Sequence, residues 1–399
     1  MPRLTFRYRL YPSKRQTKIL EEQLEICRGI YNWLLLYAKD YYKDTGKTIS
    51  YLTMQNLLPK LKTDRPELLK VYAQVLQNIA RRIRLGYDNF FARRKTGLKA
   101  GLPRFKKYGR YKSVTYPQSG FKVEGNRLLL SKIGNIQIRQ HRELPEKIKT
   151  LTVKRCPSGR WYACFSCVVD AQPREKSLED VGIDLGLHSY AVLSDGTRIE
   201  NPKLYRSEEK RVGFLQRGSS RKEMGSRNWV KARTKVARLH ERIHNRRTDF
   251  LHKASREIAD TYETVYVEDL KISNMIRNRC LAKSISDAGW GRFIGMIAYK
   301  VEGTGGQLIQ VNPRGTTQNC SRCGEQVKKT LSDRIHECPS CGLIMDRDLN
   351  AALNILARGR EIRRGPPEFR PAEEETTTLP REVVQVYPVK QETSQFIGR

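Results

Sequence analysis

Residues 320–350 read CSRCGEQVKKTLSDRIHECPSCGLIMDRDLN, two Cys-x-x-Cys knuckles followed at once by an acidic cluster. Cys320 and Cys323 form the first knuckle, Cys338 and Cys341 the second, with fourteen residues between them. Each knuckle offers two thiolates to one ion, and two knuckles complete a tetrahedral Zn2+ site with no open position. A closed four-thiolate site is structural, so the metal is expected to fold this segment and take no part in catalysis. A disulfide pair is the competing reading. Against it stand a glycine after each knuckle (Gly324, Gly342), suited to a tight turn around an ion, and the lack of a secretory leader.

Around this unit, 399 residues are enough for two or three domains and a sizeable core. Lys and Arg number 76 against 42 acidic residues, a formal charge of +34. That excess is larger than solubility needs and points to a polyanionic partner, nucleic acid first. An anionic membrane is the other polyanion, but the sequence has neither a spanning apolar run nor a lipidation motif. The opening MPRLTFRYRLYP alternates apolar and basic residues as a strand does. Nine cysteines, four of them in the zinc pattern, suit a reducing interior. The expectation is a soluble cytoplasmic protein with no membrane association.

Residues 3–11 predict a period-2 strand with Leu4, Phe6, Tyr8 and Leu10 on one face, ended by Pro12. From about Thr17 to Lys43 the period is helical through Leu20, Leu24, Cys27, Tyr31, Leu34 and Ala38. A second helical run is expected over about Pro66 to Lys95, with Leu69, Val71, Val75, Ile79, Ile83 and Tyr87 on its stripe. Arg81 and Arg82 lie near its basic end. Tyrosines interleaved with basic residues can stack on bases and hold phosphates, or can simply pack and face water. From Gly97 to Asp170 the texture turns to strands, opened by GLPRFKKYGRYKSVTYPQ with Arg104, Lys106, Lys107, Arg110 and Tyr111 as further candidate contacts. This reads as a small β-barrel whose first strand is 3–11, with the helices at about 14–96 inserted. Cys164 and Cys167 are another Cys-x-x-Cys. On an extended strand, residues three apart face opposite sides, so this pair is not a metal knuckle.

A third region begins at about Leu178. EDVGIDLGLHSYAVLSDGTRIE predicts a strand and two more in a meander, with Asp184 inside an apolar run where a carboxylate is costly unless paired or metal-bound. Residues 210–256 are read as one long helical stretch with fifteen basic and three acidic residues. Lys235, Arg238, Arg242, Arg246 and Arg247 lie there as a phosphate-tracking surface. ETVYVEDL is the next strand and carries Glu268 and Asp269. Then come a helix, a buried strand QLIQVNP, the zinc unit after Pro313, and a final helix opened by Asp346 and Asp348. From about Glu361 the proline-rich tail is expected to be disordered.

Asp184, Glu268 and Asp348 thus lie within or at the ends of apolar elements far apart in sequence. Three convergent carboxylates suit a two-metal phosphodiester hydrolase, and hard oxygen ligands select Mg2+ or Mn2+ over zinc. The order strand, meander, long helix, strand, helix, strand, acidic helix is that of a ribonuclease-H-like sheet. The fold expected is therefore α/β and multidomain.

GIDLG, VYVEDL, LAKSISDAGWG, CSRCG…CPSCG and DRDLNAALNIL, with RYRLYP and LPRFK…TYPQ, resemble the TnpB family. These are OrfB-type proteins of small bacterial and archaeal insertion sequences, similar to the nuclease half of type V CRISPR effectors. The resemblance implies a first wedge strand (1–13), a helical recognition lobe (14–96), a wedge β-barrel (97–177) and a RuvC-like nuclease in two parts (178–313 and 344–360). Between the two parts it implies a zinc ribbon that binds target nucleic acid (314–343); the tail is 361–399. It further implies RNA-guided cleavage of double-stranded DNA by a monomer on one omega-type guide RNA, in a bacterial or archaeal cytoplasm at the nucleoid. By motif, the catalytic and Mg2+-holding residues are Asp184, Glu268 and Asp348, with Asp346 and Asp269 as neighbours. NPRGTTQNC departs from the pattern at Gly315 and Thr316, where the family has an aromatic residue before Thr-Ser, and GFLQRGSSRKEMG is less basic than its counterpart. The alternatives are an RNA-guided binding protein that represses without cutting, and a transposase accessory that works without RNA.

Overall fold

The computed structural model describes residues 3–170, 173, 178–330 and 333–364. β1 (Arg3–Tyr11) buries Tyr8 and Leu10, as its alternation predicts. A capping box follows, in which the Ser13 hydroxyl accepts the Gln16 amide while the Gln16 side chain accepts the Ser13 amide. It starts α1 (Lys14–Thr45), which ends where Gly46 turns left-handed. α2 (Tyr51–Asp64) is not among the expected elements. The expected second run divides into a 3-10 turn at Pro66–Lys70 and α3 (Ala73–Lys95). Its physical cause is Pro66, which pushes Arg65 out of the helical region and restarts the chain in a new phase. Leu68 is consequently buried, and Leu69 points to solvent at 59 % exposure.

Six further strands join β1: β2 (Ser113–Tyr116), β3 (Phe121–Glu124), β4 (Arg127–Leu130), β5 (Gly134–Arg139), β6 (Ile148–Arg155) and β7 (Trp161–Val168). The order is β2-β6-β7-β1-β5-β4-β3, antiparallel throughout, so the N-terminal strand lies in the middle of the sheet. The sheet curls until its edges nearly meet, with the rings of Tyr116 on β2 and Phe121 on β3 6.5 Å apart. One apolar cluster runs through the three helices and this barrel-like sheet. Cys167 is buried and Cys164 only partly so, in keeping with opposite faces.

The second sheet has order β10-β9-β8-β11-β12. β8 (Leu178–Leu185), β9 (Ser189–Leu193) and β10 (Arg198–Glu200) form an antiparallel meander. The basic stretch that follows is two helices, α4 (Leu204–Ser220) and α5 (Arg227–Thr261), divided where Gly225 takes a left-handed conformation and Ser226 caps α5. β11 (Tyr262–Glu268) runs parallel to β8, and β12 (Gln307–Val311) runs parallel to β11. Between them lie α6 (Ile272–Met275), α7 (Ala282–Ala288) and α8 (Trp290–Gly303). After the hairpin of β13 (Ile335–Glu337) and β14 (Ile344–Asp346), α9 (Arg347–Arg364) returns across the sheet. It continues past Glu361, where the tail was expected to begin; residues 365–399 lie outside the described residues.

The two sheets are joined through Glu241 on α5. Its carboxylate accepts the Tyr162 hydroxyl at 2.8 Å and pairs with Arg160 at 3.1 Å and Arg7 at 3.8 Å, all three on or beside the barrel strands. Among the described residues no helix is long and apolar enough to cross a membrane.

Candidate active site and metal centre

Parallel pairing of β8 with β11 sets Ile183 opposite Val267. One step further along both strands, Asp184 and Glu268 lie side by side. Asp348 arrives on the first turn of α9, which crosses β8 closely because Gly182 has no side chain. A Cβ there would lie 2.2 Å from the Ala352 carbonyl oxygen and 2.6 Å from the Leu356 nitrogen. Gly182 and Asp184 share a face of the strand, so the glycine that admits α9 also turns the aspartate toward it.

All three carboxylates are shielded from water, and each has different company. Burial, with the charges of Glu268 and Asp348 acting in the same direction, raises the Asp184 carboxyl to about 8. Glu268 is also raised by burial, partly offset by a 2.5 Å hydrogen bond from the Thr316 hydroxyl and by the Arg358 charge. The Asp348 carboxylate accepts from Arg347 Nε and Nη2 at 3.1 and 3.0 Å, with Arg334 4.0 Å away. Asp346 is structural, since it accepts the backbone N–H groups of Asp348 and Leu349, capping α9, and pairs with Arg198 at 3.0 Å. Asp269 faces outward and pairs with Lys271.

A buried carboxylate held partly neutral by two neighbouring carboxylates is short of positive charge, and divalent cations would supply it. The three are not drawn tightly together. Among the described residues, the one set of three or more potential ligands with all donor atoms within 4.8 Å is the cysteine set.

The thiol set is compact. Cys320 and Cys341 sulfurs are 3.6 Å apart, as are those of Cys323 and Cys338. A disulfide requires about 2.05 Å, whereas four sulfurs at about 2.3 Å from a zinc ion stand about 3.8 Å from one another. The two knuckles are built alike. Gly324 and Gly342 each donate to the carbonyl of the first cysteine of their knuckle, from left-handed conformations. Cys323→Ser or Cys338→Ser is expected to release zinc and unfold the segment locally. Elemental analysis checks this, and stoichiometric zinc in both variants would contradict the four-thiolate site.

Two residues of LAKSISDAGWG hold neighbouring elements in place. Asp287 is buried, accepts the backbone N–H groups of Tyr205 and Arg206 at the start of α4, and pairs with Arg247 at 2.7 Å. Gly289 makes the left-handed turn from α7 into α8. Asp287→Ala removes a cap and strands a shielded guanidinium, so a loss of about 3–5 kcal/mol is expected in thermal or denaturant unfolding.

Three of the candidate nucleic-acid contacts have partners within the chain. Arg82 donates to the Tyr111 hydroxyl at 3.1 Å, the Ser113 carbonyl at 2.9 Å and Thr115 Oγ1 at 2.7 Å, tying α3 to β2. Tyr111 is buried, and burial pushes its hydroxyl up to about 12. Arg247 is committed to Asp287. Tyr111 is enclosed, whereas Arg82 and Arg247 are part-buried and engaged by these partners. Arg81, Arg104, Lys107 and Arg110 are exposed, as are Lys235, Arg242 and Arg246. Lys106 lies half-buried over the Tyr31 ring, and Arg238 is exposed but reaches the Ser158 carbonyl at 3.4 Å. Sequence reasoning names Thr316 only as a departure from the family pattern and does not single out Arg347, Asn350 or Asn354, because polar loop and helix residues carry no periodic signal.

Comparison with known proteins is consistent across the chain. A family profile described as a probable transposase, OrfB_IS605, matches residues 163–279, and a Cas12f1-like TNB domain matches 290–355. A helix-turn-helix profile matches residues 1–47, which here hold one strand and the single helix α1. A protein of Streptomyces pristinaespiralis, named as a candidate RNA-guided DNA endonuclease, is 35 % identical over 94 % of this chain and 93 % of its own length. An Escherichia coli protein of the same description, InsQ, is 33 % identical over 90 % and 92 %. Among solved structures, a Cas12f1–sgRNA–target DNA complex aligns with TM-score 0.55 at 18 % identity, over 86 % of this chain and 83 % of that one. The mini-RNA-guided endonuclease Cas phi3 aligns with TM-score 0.53 at 10 % identity, over 90 % and 92 %.

Proposed function

Because this chain belongs to the TnpB family of OrfB-type transposases, we propose that it is an RNA-guided endonuclease that cuts double-stranded DNA beside a guide taken from its own element. The observation that carries the reading is the approach of Asp184, Glu268 and Asp348 at the C-terminal ends of the central strands β8 and β11, each shielded and two of them raised in pKa by burial. In this reading residues 178–313 and 344–360 are a RuvC-like nuclease of ribonuclease-H type, and 314–343 are a zinc ribbon that engages target strand. Residues 14–96 are a recognition lobe, and 1–13 with 97–177 a wedge barrel.

Asp184 and Glu268 would hold Mg2+ or Mn2+ from adjacent strand ends, and Asp348 would complete the set from α9. Bound there, paired divalent ions supply an activated water and stabilise the leaving 3′ oxygen. Burial of the carboxylates keeps competing water away and strengthens their hold on cations. Arg347, now on Asp348, stands within reach of the same pocket and can exchange a carboxylate for a phosphate oxygen. The exposed cations Arg81, Arg104, Lys107, Arg110, Lys235, Arg242 and Arg246 would contact phosphates of guide and target. Zn2+ would fold the ribbon, and a monomer on one RNA is the assembly proposed.

RNA that co-purifies with the protein tests the reading. Sequencing should return one structured RNA with a variable 3′ segment, and the complex should cut DNA matching that segment when Mg2+ is present. Ribonuclease treatment should abolish the cutting. Protein free of RNA, or a complex that binds its target and never cuts it, would overturn the proposal, the latter in favour of a guided repressor.

A further inference from the structure

We infer that Thr316 is a positioning residue for Glu268, and that through it the zinc ribbon sets the divalent-metal affinity of the carboxylate site; this rests on the nuclease reading above. Thr316 lies midway along the segment leading from β12 into the first knuckle and is 1 % exposed. Its hydroxyl donates to Glu268 Oε1 at 2.5 Å, and the Pro313 carbonyl lies 3.0 Å from the same hydroxyl. A hydroxyl has one proton, and the geometry spends it on the carboxylate or shares it between the two acceptors.

What holds Thr316 is the ribbon and the helix beneath it. Asn354 on α9 donates to the Thr316 and Asn319 carbonyls at 2.8 and 2.7 Å. Asn350, fully buried one turn earlier, donates to the Asn319 carbonyl at 2.8 Å and accepts the Ser321 amide at 2.9 Å, inside the first knuckle. The chain between Gly315 and Asn319 is closed by its own turn, with the Gln318 and Asn319 amides on the Gly315 carbonyl. The knuckle, the two asparagines, the turn and the hydroxyl therefore form one continuous set of hydrogen bonds ending on a carboxylate. The ribbon's other side reaches Asp348 as well: Arg347 donates its amide to the Arg334 carbonyl and Nη1 to the Asp333 carbonyl, both at 2.8 Å. Two of the three carboxylates thus take their aim from the ribbon.

A hydroxyl that orients a metal-holding carboxylate is usually worth about 10- to 100-fold in metal affinity. The test is Mn2+ binding to the full-length protein without DNA, followed by electron paramagnetic resonance, with zinc content and melting temperature measured alongside. Asp184→Asn identifies the Mn2+ that belongs to the carboxylates. Thr316→Val, close in shape but lacking the hydroxyl, is expected to weaken that binding about 10- to 100-fold with zinc fully retained. Thr316→Ser should restore it, which a merely packing role would not allow. Cys323→Ser, which empties the ribbon, should reproduce the Thr316→Val loss. Equal Mn2+ affinity in Thr316→Val and the parent overturns the positioning role and leaves the nuclease reading standing. Full affinity in Cys323→Ser overturns the link to the ribbon. A parent protein with no Mn2+ that Asp184→Asn removes overturns this inference and the nuclease reading together.

Discussion

Asp184→Asn is expected to lower target cleavage by at least about 1,000-fold while RNA and target binding persist. The change keeps the shape of the side chain and removes one of the negative ligands from the set. Metal ions contribute several kcal/mol of charge stabilisation in phosphodiester hydrolysis, and each 1.36 kcal/mol is about tenfold in rate. The same variant is expected to be more stable than the parent at neutral pH when divalent ions are absent. In the folded chain Asp184 holds its proton up to about 8, because burial and two neighbouring carboxylates oppose its charge. The unfolded chain releases that proton near the ordinary aspartate value of about 3.9. Between those two values the unfolded state binds fewer protons, so folding is penalised increasingly as pH rises and the penalty levels off above about 8. Asparagine has no such penalty. Melting curves without metal should separate the two proteins at about pH 7–8 and bring them together toward about pH 4. Undiminished cutting by Asp184→Asn would remove this residue from the site.

Gly182→Ala carries the second large effect, though it touches no reacting group. The added Cβ would meet the Ala352 carbonyl at 2.2 Å, where ordinary contact begins at 3.4 Å. The two nearest atoms it meets are backbone atoms of α9, so no side-chain rotation relieves the clash. Either α9 lifts from β8 by about an ångström or the strand yields. Asp348 sits on the first turn of that helix, and a misplacement of about 1 Å can cost about 100-fold in rate. The expected result is a cleavage rate down about 100-fold with zinc, RNA and target binding unchanged. Overpacking of this kind costs about 1–3 kcal/mol in stability, so the melting temperature should fall while the chain still folds. Wild-type cleavage by Gly182→Ala would show that α9 does not set the position of Asp348.

These two positions also mark what residues alone can tell. A carboxylate in the middle of GIDLG, or at the end of VYVE, stands out because apolar strands rarely tolerate one, and the parallel register then puts the two side by side. The knuckle glycines are legible for a similar reason: a left-handed turn leaves few choices of residue. Asp348 is reached by motif, but what brings it to Asp184 is the close crossing at Gly182, a contact between elements distant in sequence that no local period reports. α2 escapes a local reading because Pro59 argues against a helix, while Met54, Leu58 and Leu61 bury one face and override it. The partners that Arg82, Tyr111 and Arg247 have within the chain escape the sequence because a basic or aromatic residue has the same letter whether it faces a phosphate or another side chain. The basic stretch at 210–256 hides its division into α4 and α5, since charge continues smoothly across a break that Gly225 makes in the backbone.

Metal location is the most direct test of the whole account. Crystals of the protein soaked in Mn2+ should give anomalous peaks for one or two ions between Asp184, Glu268 and Asp348, a pair lying about 3.5–4 Å apart. A separate zinc peak should appear among Cys320, Cys323, Cys338 and Cys341. A zinc peak at the cysteines with none at the three carboxylates, at Mn2+ concentrations that support cleavage, would contradict it.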